Sequence, residues 1–260
     1  MKKNAVQKSH LNSGYRSAGW HGIAATIWLL GTGLAPSVNA IDITTENNPP
    51  FNYANGEHIA GISTEMITEM GHRAGVPLKI QILPWARAYL TALNTPATCV
   101  YSTARLPEQS ELFKWIGPIA TNKWALFARA DASARITALA DARGYRIGGV
   151  FYDGKYLYLK SLGFTNFELV SDDDVNAAKL IAGRIDLWIT GLHKGTQIAA
   201  QHGSKSIKPV LIVRDVEYYL ACNLETPEVV VNALSQSLQA LQNDGHDKTI
   251  IRRYARWLHP

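Results

Sequence analysis

The chain lacks the clustered residues that many chemistries need. Only two cysteines occur, Cys99 and Cys222, with no CxxC, HExxH or His/Cys cluster beside them, which excludes a zinc site of ordinary spacing. No G-x-S-x-G elbow is present, and neither cysteine has a histidine placed by sequence to activate it. The sequence therefore shows no activated nucleophile of these patterns, which does not exclude catalysis. No catalytic set, metal set or cofactor is expected. Low-complexity segments and short repeats are absent. The longest apolar stretch, GIAATIWLLGTGLA over residues 22–35, falls short of the ~20 residues that span a bilayer.

Acidic residues are missing from the start. None precedes Asp42, while Lys2, Lys3, Lys8 and Arg16 all lie there. A basic start, a short apolar core and the small-residue exit SVNA read as a secretory signal peptide over residues 1–40, cleaved after Ala40; the alternative is a short membrane anchor. The leader holds four of the 26 basic residues and none of the 21 acidic ones, so the mature chain carries 22 against 21. Near-neutrality without a basic stripe gives no reason to expect a nucleic-acid partner. In an oxidising compartment such as the periplasm, two distant cysteines suggest one disulfide. The mature length suits one large or two modest domains.

From Ile41 onward, strand-like and helix-like segments alternate. IDITTE is a β-prone run, residues 63–74 carry Met66, Ile67, Met70 and Ala74 on one side, and PLKIQIL alternates strictly. WARAYLTAL reads as a helix; TCVYS and KWALFAR read as strands. After ADASAR the alternation restarts, with strands at YRIGGV, FELV and DLWIT, and helices between them. KPVLIV and EYYLACN read as two further strands. Thr226-Pro227-Glu228 signals a helix start, with the hydroxyl as cap. Two runs of β-α alternation predict an α/β fold of two lobes, each a mostly parallel sheet flanked by helices. Ligands in such sheets bind at the carboxyl ends of strands, which selects the loops after residues 46, 83, 102, 150 and 190.

The fourth loop of that set contains GVFYDGKY, residues 149–156, which meets every term of a P-loop except the last. A P-loop needs a hydroxyl after the lysine to hold magnesium, and Tyr156 stands there instead. The turn still presents helix N-terminal amides suited to an anionic or carbonyl oxygen. Asp153 either meets a ligand or caps its own helix.

The ordered motifs ITTENNPPFNY, STARLPEQSELFKWIGPI, GYRIGGV, AGRIDLWITG and LQNDG resemble those of the bacterial extracellular solute-binding proteins of family 3. These are the periplasmic amino-acid-binding type, and the resemblance runs over nearly the whole mature chain. It implies two α/β lobes joined by two hinge strands and closing on a solute: residues 41–130 and 215–260 form one lobe, 131–214 the other. The strand crossings then fall near 128–131 and 213–216. It implies a small polar or carboxylate-bearing solute, no cofactor, a monomer, and an ABC-transporter complex or a sensor as partner. The alternative on the same fold is a periplasmic enzyme of cyclohexadienyl dehydratase type. The same resemblance makes TCVYS and EYYLACN antiparallel neighbours, which would place Cys99 beside Cys222.

Two departures stand out. The family grips an α-carboxylate with an arginine where this chain has Gln109, and an α-amino group with an aspartate where it has Gly191. The residues expected to bind are therefore Glu46, Trp85, Arg87, Ser102, Arg105, Tyr152, Asp153 and Thr190. Glu46 offers a charge for an amine, and Ser102 and Thr190 offer hydroxyls. Trp85 beside Arg87 makes an aromatic wall next to a cation; alternatively Trp85 packs on the helix it starts. Arg105 grips a carboxylate or phosphate through its fork, or else forms a surface pair with Glu108 or Glu111. Tyr152 and Asp153 lie in the cleft-facing loop. Trp115 and Trp188 read as core, Asp186 as structural, and the 172–174 aspartates as a helix N-terminal turn.

The leader generates the first prediction. Intact-mass measurement of exported protein should find a chain beginning at Ile41, and retention of residues 1–40 would overturn the signal-peptide reading.

Overall fold

The computed structural model describes residues 40–132, 135–201 and 206–258. All but the last residue of the predicted leader lies outside the described residues.

The first lobe opens with β1 (Ile41–Thr45), followed by the hairpin strands β2 (Tyr53–Asn55) and β3 (His58–Ala60). Helix α1 (Ile62–Ala74) buries Ile62, Met66, Ile67 and Met70 on one stripe, the spacing that a half-buried helix needs. It stops at Gly75, whose backbone is left-handed with φ 64°, a conformation that favours glycine. Its start requires Gly61, where φ is 123° and an added Cβ would lie 2.3 Å from the Phe51 carbonyl oxygen. Strand β4 (Leu78–Ile82), helix α2 (Trp85–Asn94) and β5 (Thr98–Ala104) follow. Both β4 and β5 pair in parallel with β1, and α2 packs on β1 and β5.

Two strands of 16 residues each, β6 (Lys114–Arg129) and β10 (Ile207–Cys222), form the centre of the molecule. Between them in sequence come β7 (Ile147–Val150), α3 (Gly154–Ser161), β8 (Phe167–Val170), α4 (Asp174–Ile181), β9 (Leu187–Gly191) and α5 (Leu192–Gln201). β7 pairs in parallel with both β8 and β9, making the second lobe. The sheet order β4-β1-β5-β10-β6-β9-β7-β8 shows how the lobes join. β10 takes β5 as a neighbour along Tyr218–Cys222, whereas β6 takes β9 along Trp124–Phe127. The chain ends in α6 (Glu228–Asn243), α7 (His246–Arg253) and α8 (Ala255–Leu258), with α6 packed on α1.

Three local expectations change. KWIGPI belongs to β6, and KPVLIV and EYYLACN are one continuous strand with register slips. Thr226 does not cap α6; its buried hydroxyl has no hydrogen-bond partner among the described residues. Trp188 is fully buried, but Trp115 is only half-buried. Asp186 does orient its neighbour, accepting the Arg146 amide at 2.8 Å.

Cys99 and Cys222 face each other across the β5–β10 ladder and form a disulfide that closes 123 residues of sequence. Chain-entropy reasoning for a loop of that length gives at most about 5 kcal/mol. Replacing both cysteines by alanine should lower the urea-unfolding free energy by up to that amount. Alkylation of the denatured, unreduced protein should label no thiol; two labelled thiols would refute the bond.

Candidate ligand-binding site

The carboxyl ends of β1, β5, β7 and β9 converge on one buried polar network. Glu46, the residue after β1, is 6% exposed; Asp153 and Lys155, at the β7–α3 turn, are 4% and 6% exposed. Asp173, just before α4, and Lys194, on α5, are each 2% exposed. Ionised groups so far from water are costly unless paired and hydrogen-bonded. The pairing is extensive. Asp153 holds the Lys155 ammonium at 2.7 Å through one oxygen and caps α3 through the other, accepting the Lys155 amide at 2.7 Å. Asp173 accepts from Trp188 Nε1 and Thr190 Oγ1, both at 2.7 Å, and lies 3.7 Å from the Lys194 ammonium. Lys194 also pairs with Asp174 at 2.9 Å and donates to the Asn47 carbonyl at 2.9 Å, so the second lobe reaches the first directly.

Neutral side chains complete the network. Ser102, with φ 59° near the end of β5, donates to Asn52 Oδ1, and Asn52 donates to the Glu46 carbonyl at 2.6 Å. Asn48 and Asn122 both donate to the Tyr218 hydroxyl. The left-handed backbone at Ser102 and at Tyr152 (φ 62°) is uncommon outside glycine and gathers where side chains are held for a purpose.

The electrostatics follow from burial and neighbours. Burial works against both ammonium groups, but the surrounding carboxylates outweigh it and hold Lys155 and Lys194 above the usual lysine range. Burial would likewise raise Asp173, yet Lys194, Lys155 and the Trp188 and Thr190 hydrogen bonds together keep it below its ordinary value. Glu46 goes the other way: burial pushes its carboxyl up to about 7, with Asp153 and Asp173 adding to the rise and the two lysines opposing it.

Glu46, Ser102, Asp153 and Thr190 thus meet in one place. Trp85 is buried and packs 6.0 Å from Tyr89; Tyr152, from the other lobe, stacks on the same Tyr89 ring at 5.9 Å and 8°. Arg87 is exposed and forms no ion pair or hydrogen bond with the network among the described residues. Arg105 is also exposed; it sits 5.8 Å from the Trp115 ring and forms no ion pair with Glu108 or Glu111. Lys155, Asp173, Lys194, Asn122 and Tyr218 were not among the expected binding residues. The Lys155 position was visible in GVFYDGKY. The three-aspartate run concealed Asp173, since such runs ordinarily form solvated turns; here Asp172 accepts the Asp174 amide and leaves Asp173 free to face inward.

The model of the bacterial extracellular solute-binding proteins, family 3, matches residues 41–257. The chain belongs to that family. Among solved structures, a histidine kinase sensor domain with similarity to periplasmic binding proteins aligns with a TM-score of 0.76 at 18% identity, covering 85% of this chain and 97% of that one. The arginine-, lysine-, histidine-binding protein ArtJ from Geobacillus stearothermophilus gives 0.74 at 13%, covering 83% and 94%. The GluR0 ligand-binding core from Nostoc punctiforme, in complex with L-glutamate, gives 0.69 at 17%, covering 85% and 100%. At these identities the likeness establishes the fold. No curated protein matches the chain.

Within this family-3 protein the two altered positions are structurally committed. Gln109 is buried and donates to the Tyr89 hydroxyl at 3.0 Å. At Gly191 an added Cβ would come within 2.7 Å of Asn122 Nδ2, so a larger residue there requires Asn122 to leave Tyr218.

A pH dependence follows from Glu46. An acid whose folded pKa is raised holds its proton more tightly in the folded state. Its contribution to stability is complete below the ordinary value of 4.5 and is lost as pH rises through about 7. At about 1.4 kcal/mol per unit, the loss is on the order of 3 kcal/mol. Urea unfolding at about pH 5 and pH 8 should show wild type losing that much more than Glu46→Gln. Equal losses would place the titration elsewhere.

Proposed function

We propose that this protein is a periplasmic solute-binding protein whose two lobes close on a small polar or carboxylate-bearing solute. Residues 41–130 and 215–260 make one lobe and residues 131–214 the other. The observation that carries the reading is the burial of Glu46, Asp153, Lys155, Asp173 and Lys194 at one point, drawn from both lobes. Apolar side chains of similar volume would stabilise such a core as well or better, so the charges are better explained by a ligand that exchanges partners with them. The position agrees, because open α/β sheets bind ligands beyond the carboxyl ends of their strands.

In this reading the solute's carboxylate meets Lys155 and the N-terminal amides of α3, where Asp153 holds the lysine in place. Ser102 and Thr190 supply hydroxyls, Glu46 faces any cationic end, and Trp85 and Tyr152 border the apolar part. Arg87 and Arg105, both exposed, take no part in this contact. Lobe closure desolvates these contacts and strengthens them. The closed form is then read by an ABC-transporter complex or by a sensor; the likeness to a histidine kinase sensor domain supports keeping both. A dehydratase-type reaction has one feature in its favour, a Glu46 carboxyl poised near neutrality, the range suited to proton transfer.

Calorimetry with L-glutamate, glutarate and L-arginine tests the assignment. At least one carboxylate should bind saturably, with glutarate close to L-glutamate because Gly191 offers no charge to an α-amino group. Lys155→Gln should weaken that binding about tenfold or more, or about 1.4 kcal/mol. Unchanged affinity in Lys155→Gln, or strict dependence on the α-amino group, would refute this placement of the solute.

A further inference from the structure

A second cleft lies where β6 and β10 cross between the lobes, outside the buried network. Its volume is about 890 Å³, and its walls include Arg105, Arg214, Lys123, Asp215, Glu217 and Tyr219. That volume is in the range of small-molecule sites, roughly 300–1,000 Å³.

The charges on its walls are unevenly satisfied. Asp215 pairs with Lys123 at 3.3 Å, and Glu217 accepts from the Tyr219 hydroxyl at 2.6 Å. The acidic groups and the lysine therefore have partners. Among the described residues, neither Arg105 nor Arg214 is paired with a carboxylate. Each lies against aromatic rings instead: Arg105 is 5.8 Å from Trp115, and Arg214 is 4.8 Å from Tyr158 and 5.7 Å from Trp124. Cation–π contact holds a guanidinium in place without neutralising it, and the guanidinium fork is suited to carboxylate and phosphate oxygens. Leu106 and Val216 add apolar wall between the polar groups.

The two arginines also come from different parts of the fold. Arg105 follows β5, in the first lobe, while Arg214 pairs across the ladder with Trp124, beside the second lobe. A site for one small monoanion would need only one of them.

We propose that this cleft is a second binding site, for a small dianion with an apolar body, held by Arg105 at one end and Arg214 at the other. A dianion in that position spans the strand crossing and ties the lobes together. The site is independent of the buried network, sharing with it only the Asn122 wall.

The test uses the full mature protein and suberate, a dicarboxylate with an apolar chain, titrated by calorimetry. Suberate should bind saturably and its neutral diol should not; added salt should weaken binding, since the arginines are exposed. Arg105→Gln and Arg214→Gln should each reduce affinity about tenfold, and Lys79→Gln, on an exposed strand, serves as the control. Thermal unfolding of each variant separates lost binding from lost folding. Absence of saturable suberate binding overturns the proposal. So does binding that survives both arginine substitutions, or binding that is lost in Lys155→Gln while both arginine variants retain it, which would put suberate in the buried network.

Discussion

The antiparallel ladder between β6 and β10 is the constraint on which the rest depends. It runs from Ile207↔Arg129 to Cys222↔Lys114, and among the described strands it is the ladder that joins the two halves of the sheet. Each half needs it for a different reason. The parallel strands β4, β1 and β5 would expose the β5 edge without β10, and β8, β7 and β9 would expose the β9 edge without β6. Unpaired edges cost backbone hydrogen bonds and invite wrong partners. Because β10 covers one edge and β6 the other, the same two strands complete both lobes. The Cys99–Cys222 bond then fastens β10 to β5 at the end of its run.

That arrangement also dictates where the polar network forms. Tyr218 and Asn122 are placed by the ladder, and Asn48 reaches Tyr218 from the loop after β1. Around them the strand ends of both lobes present carboxylates and ammonium groups within a few ångströms. In a medium of low effective permittivity such charges interact far more strongly than in water, and each unpaired one is correspondingly expensive. The outcome is an uneven division: Asp153 and Asp173 are held by lysines and hydrogen-bond donors, while the Glu46 carboxyl makes no ion pair among the described residues and takes the rise in pKa. Glu46 is thus the member of the network whose charge is least supported by the protein itself.

Much of the fold was legible in the sequence, and the exceptions have physical causes. Strands β1, β4, β5, β7, β8 and β9 are short apolar or alternating runs between turn signals, too short for buried helices. The long strands were harder to read. Around the crossing they carry Thr121, Lys123, Arg214, Asp215 and Glu217, several of them exposed, with Pro118 and Pro209 inside the runs and register slips along β10. A strand that leaves one lobe and enters another loses its buried face on the way, so its pattern imitates a loop. The site divides similarly. Glu46, Ser102, Asp153 and Thr190 were legible because strand ends select them. Lys194 was not, because its partners Asn47 and Asp173 are distant in sequence and meet it only in the folded chain. Asp153 caps α3 with one oxygen and holds the Lys155 ammonium with the other.

The contrast between the two charged regions bears on how recognition has shifted within the family. Family resemblance would put an arginine at residue 109 and an aspartate at residue 191, a fixed pair of opposite charges for a zwitterion. Here Gln109 is engaged with Tyr89, and the space beside Gly191 is taken by Asn122. Both positions have been absorbed into the protein's own hydrogen bonding. The cations nearest the strand ends are instead Lys155 and Lys194, flexible point charges already held by internal carboxylates. A rigid fork recognises one oxygen geometry, whereas a lysine ammonium accepts several. To gain such an ammonium a solute must compete with Asp153 or Asp174, and that competition subtracts from affinity while favouring the solute whose anion matches the displaced carboxylate. Among the described residues the network holds no arginine, and Arg105 and Arg214, in the outer cleft, form no ion pair with a carboxylate. If solutes bind as proposed, selectivity in the buried site would come from displacement of internal partners, and selectivity in the outer cleft from the spacing of two unneutralised cations.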